Sequence, residues 1–96
     1  MNMLNKEQAR NNAQKELSYD DELIIIDGST METSYAWIFF YNTRKFIETG
    51  NKSYSLAGNA PLFVAKKDGS VSSFDTSISI EEMIMRYERK INNNKT

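Results

Sequence analysis

The groups in this chain whose residue types could support a reaction are three consecutive carboxylates, Asp20, Asp21 and Glu22, and the lysine of Gly50-Asn51-Lys52-Ser53. Acid and base catalysis by carboxylates needs two carboxyl groups converging on one bond. Neighbouring residues in extended chain point to alternate sides, so the acidic trio does not converge and reads as a solvated turn before a strand. The lysine segment ends like a phosphate-binding loop, but the first glycine of G-x-x-x-x-G-K-[ST] is missing and Asn51 separates Gly50 from Lys52. Glu81 and Glu82 have a sufficient role at a helix start, where the dipole favours negative charge.

What is missing narrows the chemistry further. The chain has no histidine and no cysteine, which removes the commonest general base, the commonest metal ligand and any disulfide. No loop places acidic residues at the alternating positions of a calcium site. The expectation is therefore no catalytic residue, no metal and no cofactor. Twelve basic against thirteen acidic residues give a net charge of −1, without the basic face that nucleic acid requires. The first residues, MNMLNKEQARNNAQKEL, are too polar for a signal-peptide core, and the longest apolar run, Ala36 to Tyr41, is far too short to span a membrane. A soluble cytoplasmic protein is expected, with neither nucleic acid nor membrane as partner.

At 96 residues and 40% hydrophobic content the chain can build one domain around one small core. Residues 1–91 are assigned to it, and 92–96 to a disordered, solvated tail rich in asparagine. Asn5 with Gln8 three positions on forms a capping box for an N-terminal helix whose narrow face is Ala9, Ala13 and Leu17. Leu23 to Asp27 reads as a strand, Gly28-Ser29-Thr30 as a turn, and Tyr35 to Tyr41 as a second strand. Asn42 to Asn51 reads as a turn or short irregular connection closed by Gly50, and the pattern leaves open whether Lys52 to Ser55 adds a brief edge strand. Gly58-Asn59-Ala60-Pro61 turns into the strand Leu62 to Lys66, and Lys67-Asp68-Gly69-Ser70 connects it to Val71 to Phe74. Ser79 and Glu82 open a C-terminal amphipathic helix with Ile80, Met83, Ile84, Tyr87 and Ile91 on one face. These elements specify an α+β fold: N-terminal helix, antiparallel meander of about four strands, C-terminal helix.

The strand Tyr35 to Tyr41 is apolar on both faces, with Tyr35, Trp37, Phe39 and Tyr41 on one and Ala36, Ile38 and Phe40 on the other. Trp37 belongs to the core on this pattern, whereas Tyr35 and Tyr41, each an apolar body with a polar tip, suit either the core edge or contact with a partner.

The run YAWIFFYNTRKFIETGN, followed by SLAGNAPLFVAKKDGSV and a short amphipathic helix ending near Tyr87, resembles the immunity protein 35 family of bacterial polymorphic-toxin systems. The resemblance implies a small, non-catalytic cytoplasmic protein that binds and neutralises a cognate toxin. It carries over Trp37, Gly58, Asn59, Pro61 and Gly69 as positions that define the scaffold. Candidate partner contacts are Tyr35, Tyr41, Asp20, Asp21 and Glu32. The alternative is a chaperone-like or homodimeric module that uses an apolar sheet face, resting on the two-sided strand and five methionines.

Overall fold

The structure, a computed structural model, describes residues 3–56, 60–74 and 76–93. Helix α1 (Lys6–Glu16) begins with the expected capping box: the Gln8 amide donates to Asn5 Oδ1 at 2.8 Å and the Asn5 amide to Gln8 Oε1 at 3.0 Å. Two orphan donors of the first turn are thereby satisfied. Six strands follow, β1 (Leu23–Ile25), β2 (Met31–Glu32), β3 (Ala36–Phe39), β4 (Tyr41–Thr43), β5 (Leu62–Ala65) and β6 (Val71–Ser72). They form a four-stranded sheet in the order β2-β3-β5-β6 and a two-stranded sheet β1-β4, with every pairing antiparallel.

The run expected as one strand from Tyr35 to Tyr41 thus divides between two sheets. The cause lies in the opposing arm, where a 3-10 turn at Asp27–Ser29 interrupts the ladder between β1 and β2. Met31 pairs with Ile38 and Ile25 with Tyr41, while the Ile26 amide donates to the Phe40 carbonyl at 2.8 Å across the break. Residues 23–32 and 36–43 therefore make one long hairpin with a local dislocation.

Each face of this hairpin meets a helix. Ala9, Ala13 and Leu17 pack with Leu23, Ile25, Phe39, Leu62 and Val64, and Trp37 and Tyr41 lie against that cluster. On the opposite face Ala36, Ile38 and Phe63 pack with Met83 and Tyr87 of α3 (Ile80–Asn93). Alternation holds from Ala36 to Tyr41, but Tyr35 packs on the α3 side, not with Trp37 as the strand pattern predicts. It precedes β3 and follows the turn at Thr33, so the two-residue period does not govern it.

One local expectation is corrected and one open alternative is decided. Arg44–Thr49 is a helix, α2, capped by Thr43, whose Oγ1 accepts from the Phe46 amide at 3.1 Å, and ended by Gly50 at φ 70°. Lys52–Tyr54 is a 3-10 turn capped by Asn51, not an edge strand, because Asn51 Oδ1 takes the Ser53 amide at 3.0 Å and curls the backbone.

Strand β5 is buried along its whole length, as befits a strand flanked on both sides. Its turn into β6 closes at Gly69, φ 78°, with the Ala65 amide donating to the Ser70 carbonyl at 2.9 Å. Pro61 is buried ahead of β5; Gly58 and Asn59 lie outside the described residues. Ser79 caps α3 by accepting from the Glu82 amide at 3.1 Å. That helix runs through Asn92 and Asn93, beyond the expected tail boundary at 92.

Candidate functional site

The residue types that invited a catalytic reading are engaged in local structure. Asp20 Oδ1 accepts from the Glu22 amide at 3.0 Å, an Asx turn that delivers the chain to β1. The Asp21 carbonyl receives the Arg44 guanidinium at 3.5 Å. Among the described residues no group of three or more acidic, histidine or cysteine side chains could hold a metal ion, and no helix is long and apolar enough to cross a membrane.

Hollows lie at both ends of the hairpin. At the β1-β4 end, Tyr19 is 76% exposed beside the turn that carries Asp20 and Asp21. Glu22, Thr43, Lys45 and Tyr54 line a shallow hollow of about 380 Å³, where Lys45 Nζ stands 5.2 Å from the Tyr54 ring centroid. Tyr41 is half-buried here, and burial pushes its phenol above the usual tyrosine range.

At the other end, a cleft of about 470 Å³ opens between the C-terminal half of α3 and the β5-β6 hairpin. Its inner lining is aromatic. Phe74 and Tyr87, with ring centroids 6.4 Å apart, line it and rest on the fully buried Phe63, which Phe74 meets edge to face at 5.2 Å and Tyr87 approaches to 5.0 Å. Tyr35 forms part of the wall and its hydroxyl donates to Asn92 Oδ1 at 3.3 Å, tying the β2-β3 turn to the end of α3. Burial, with the Asp68 charge as a smaller contribution, pushes the Tyr87 phenol up. Lys66, Lys67 and Lys90 line the cleft too, with Asp68 as the one acidic side chain among the described residues of the lining.

The five candidate contacts are therefore not brought together. Tyr35 belongs to the cleft, Tyr41, Asp20 and Asp21 to the opposite end, and Glu32 to the edge strand β2. Glu32 pairs with Lys66, whose ammonium sits 5.1 Å from the centre of the Trp37 ring. Trp37 itself is half-buried, with Nε1 donating to the Leu4 carbonyl at 3.1 Å.

Tyr41-Asn42 is among the most specific parts of the resemblance, which gives Asn42 no role, yet Asn42 is the buried polar side chain among the described residues. Its Oδ1 accepts from the amides of Thr43, at 2.8 Å, and Leu56, at 2.9 Å, and its Nδ2 donates to Ser55 Oγ at 3.1 Å. Thr43 Oγ1 adds a bond to the Tyr54 carbonyl at 2.7 Å. These two residues clasp the excursion from α2 to Leu56 onto β4. The one available signal was the polar pair Asn42-Thr43 directly after an unbroken apolar strand.

Comparison with known proteins fits this scaffold. A protein of Escherichia coli strain K12, YrhB, described as uncharacterized, is 40% identical over 57 residues, which cover 59% of this chain and 61% of that one. The chain thus matches less than two thirds of the length of that relative. No solved structure matches it. The model of immunity protein 35 matches residues 7–85, from the first turn of α1 into α3 and across both sheets, and on that match the chain belongs to the immunity protein 35 family.

Proposed function

We propose that this protein acts in the cytoplasm by binding a cognate protein toxin and blocking it, without catalysing a reaction. Membership in the family implies a toxin-immunity role, and the family match over residues 7–85 is the observation that carries the reading. The arrangement of side chains supports the non-catalytic part: the Asp20 carboxylate holds a turn, the Glu82 carboxylate pairs with Arg86, and exposed Tyr19 and Tyr54 stand outside the core. An immunity protein needs a stiff scaffold and a surface of roughly 600–1,000 Å² matched to one partner. Both ends of the long hairpin offer polar and aromatic groups on fixed backbone.

The chaperone-like or homodimeric alternative rests on the two-sided apolar strand Tyr35 to Tyr41 and on the five methionines. In the fold β3 has α1 on one face and α3 on the other, so that surface is spent in the core. The test of the immunity reading is co-expression with the toxin module encoded beside this protein. Restored growth and a one-to-one complex with the purified module are expected. A folded, abundant chain that neither binds nor rescues would overturn the reading.

A further inference from the structure

We propose that the cleft between α3 and the β5-β6 hairpin is the docking surface, and that it takes an acidic segment of the toxin carrying an apolar side chain. This rests on the immunity reading and adds to it which face binds and what it binds. The lining has two chemically distinct parts. Phe74, Tyr87 and Ile91 offer apolar surface large enough to seat one side chain, which is how a compact interface obtains its central anchor. Among the described residues of the lining stand three lysines and one aspartate, although the chain as a whole carries a net charge of −1. With Lys66 neutralised by Glu32, the described lining keeps two cations, Lys67 and Lys90, against the carboxylate of Asp68.

The lysines differ in availability. Lys66 is held down, its side chain only 13% exposed and paired with Glu32 over Trp37. Lys67 and Lys90 are exposed, and neither takes part in an ion pair among the described residues. One projects from the hairpin turn and the other from α3, on opposite walls of the cleft. A carboxylate entering between them meets a cation from each side, while a basic segment meets repulsion from both, which gives discrimination as well as attraction. The hydroxyls of Ser72 and Ser73 supply neutral partners for the backbone of such a segment. An apolar anchor flanked by acid distinguishes this occupant from nucleic acid, which would call for a broader basic track.

The test is calorimetric titration of the purified neighbour-encoded toxin module into wild type, K67E/K90E and the opposite-end variant D20K/D21K, each at two salt concentrations. Both lysines are exposed, so charge reversal leaves the core intact, which circular dichroism verifies. The expected result is a loss of affinity of about thirtyfold or more for K67E/K90E, with a shallower salt dependence, and a change within about threefold for D20K/D21K. Wild-type affinity in K67E/K90E overturns the docking surface and leaves the immunity reading standing. Failure of wild type itself to bind overturns both. Binding of a short DNA duplex that K67E/K90E abolishes, with toxin affinity unchanged, assigns the lysines to nucleic acid and also overturns the proposal.

Discussion

Asn12 on α1 donates through Nδ2 to the carbonyl of Gly69 at 3.0 Å, joining the first helix to the turn of the β5-β6 hairpin 57 residues away. Gly69 is where that join is tightest. A Cβ placed there would stand 2.5 Å from Asn12 Nδ2 and 2.9 Å from Leu4 Cδ2, and the residue already has φ 78°. Gly50 has a similar φ of 70° but open space around it. The two glycines separate backbone strain from crowding.

Replacing Gly50 by alanine should therefore cost only the left-handed strain, about 1–2 kcal/mol. Gly69→Ala should cost about 2–4 kcal/mol, since displacing packed neighbours adds to the strain. Urea denaturation of both variants measures the difference. In an Asn12→Ala background Gly69→Ala should lose part of its effect, because one of the two crowded atoms is gone. Equal costs for the two glycines would contradict this account of the contact.

Residues whose role is local were legible in advance. Asn5 with Gln8, Ser79 with Glu82, and Asp68-Gly69 each complete their hydrogen bonds or dihedrals within a few positions, so spacing reveals them. The alternation of Ala36 to Tyr41 was legible for the same reason. Helix α2 was not, since Arg44–Thr49 is too short for a 3.6-residue period to repeat, and only its Thr43 and Gly50 caps mark it. The role of Asn42 escaped because its partners Ser55 and Leu56 lie across a helix and a 3-10 turn. The cleft was invisible for a stronger reason: Lys67 and Lys90 become neighbours only once α3 has packed on the sheet, and no local pattern in either segment encodes that.

The Asn42 side chain should be worth more than its exposure to sequence reasoning suggests. Asn42→Ala removes two acceptor bonds and one donor bond in a half-buried seam and leaves the Leu56 amide without its partner. A cost of about 2–3 kcal/mol is expected, the range for buried groups left unsatisfied. Hydrogen exchange localises it: the Leu56 amide should lose protection while the Phe63 and Val64 amides, in the central β5, keep theirs. Retained Leu56 protection would show that some other contact holds the seam.

At alkaline pH Tyr87 should limit stability, beside Tyr41, whose phenol burial raises as well. Its phenol is raised above the ordinary value of 10 by burial and, to a smaller extent, by Asp68. Below pH 10 both folded and unfolded chains keep the proton and nothing changes. Above it the unfolded chain releases the proton first, so this residue's contribution falls as pH rises through the folded-state value. Tyr87→Phe keeps the ring against Phe63 and removes the ionisation. The variant should match wild type within about 1 kcal/mol at pH 7 and gain on it above pH 10, read from urea midpoints across that range. A constant difference from pH 8 to pH 11 would rule out Tyr87 as a titrating group.

Trp37 gives the remaining case, where one side chain does two jobs. Its ring packs against the cluster under α1, and its Nε1 holds the Leu4 carbonyl, while the Leu4 amide donates to the Lys66 carbonyl at 2.8 Å. The segment before α1 is thus strapped across the sheet at Leu4 by one side-chain and one backbone bond. Trp37→Phe keeps most of the apolar contact and deletes the donor, at an expected cost of about 1–2 kcal/mol. Trp37→Ala also opens a hole, but the ring is only half-buried, so the cost should stay near the lower end of the roughly 3–5 kcal/mol seen for fully buried aromatic residues. In Trp37→Phe the Leu4 amide should exchange faster, because losing the bond to its carbonyl loosens the residue whose amide meets Lys66. The Leu56 amide, held by Asn42 elsewhere, should not change. If Leu4 exchange is unaltered, the strap is held by its backbone bond and the packing of Leu4 alone, and the indole serves only as core.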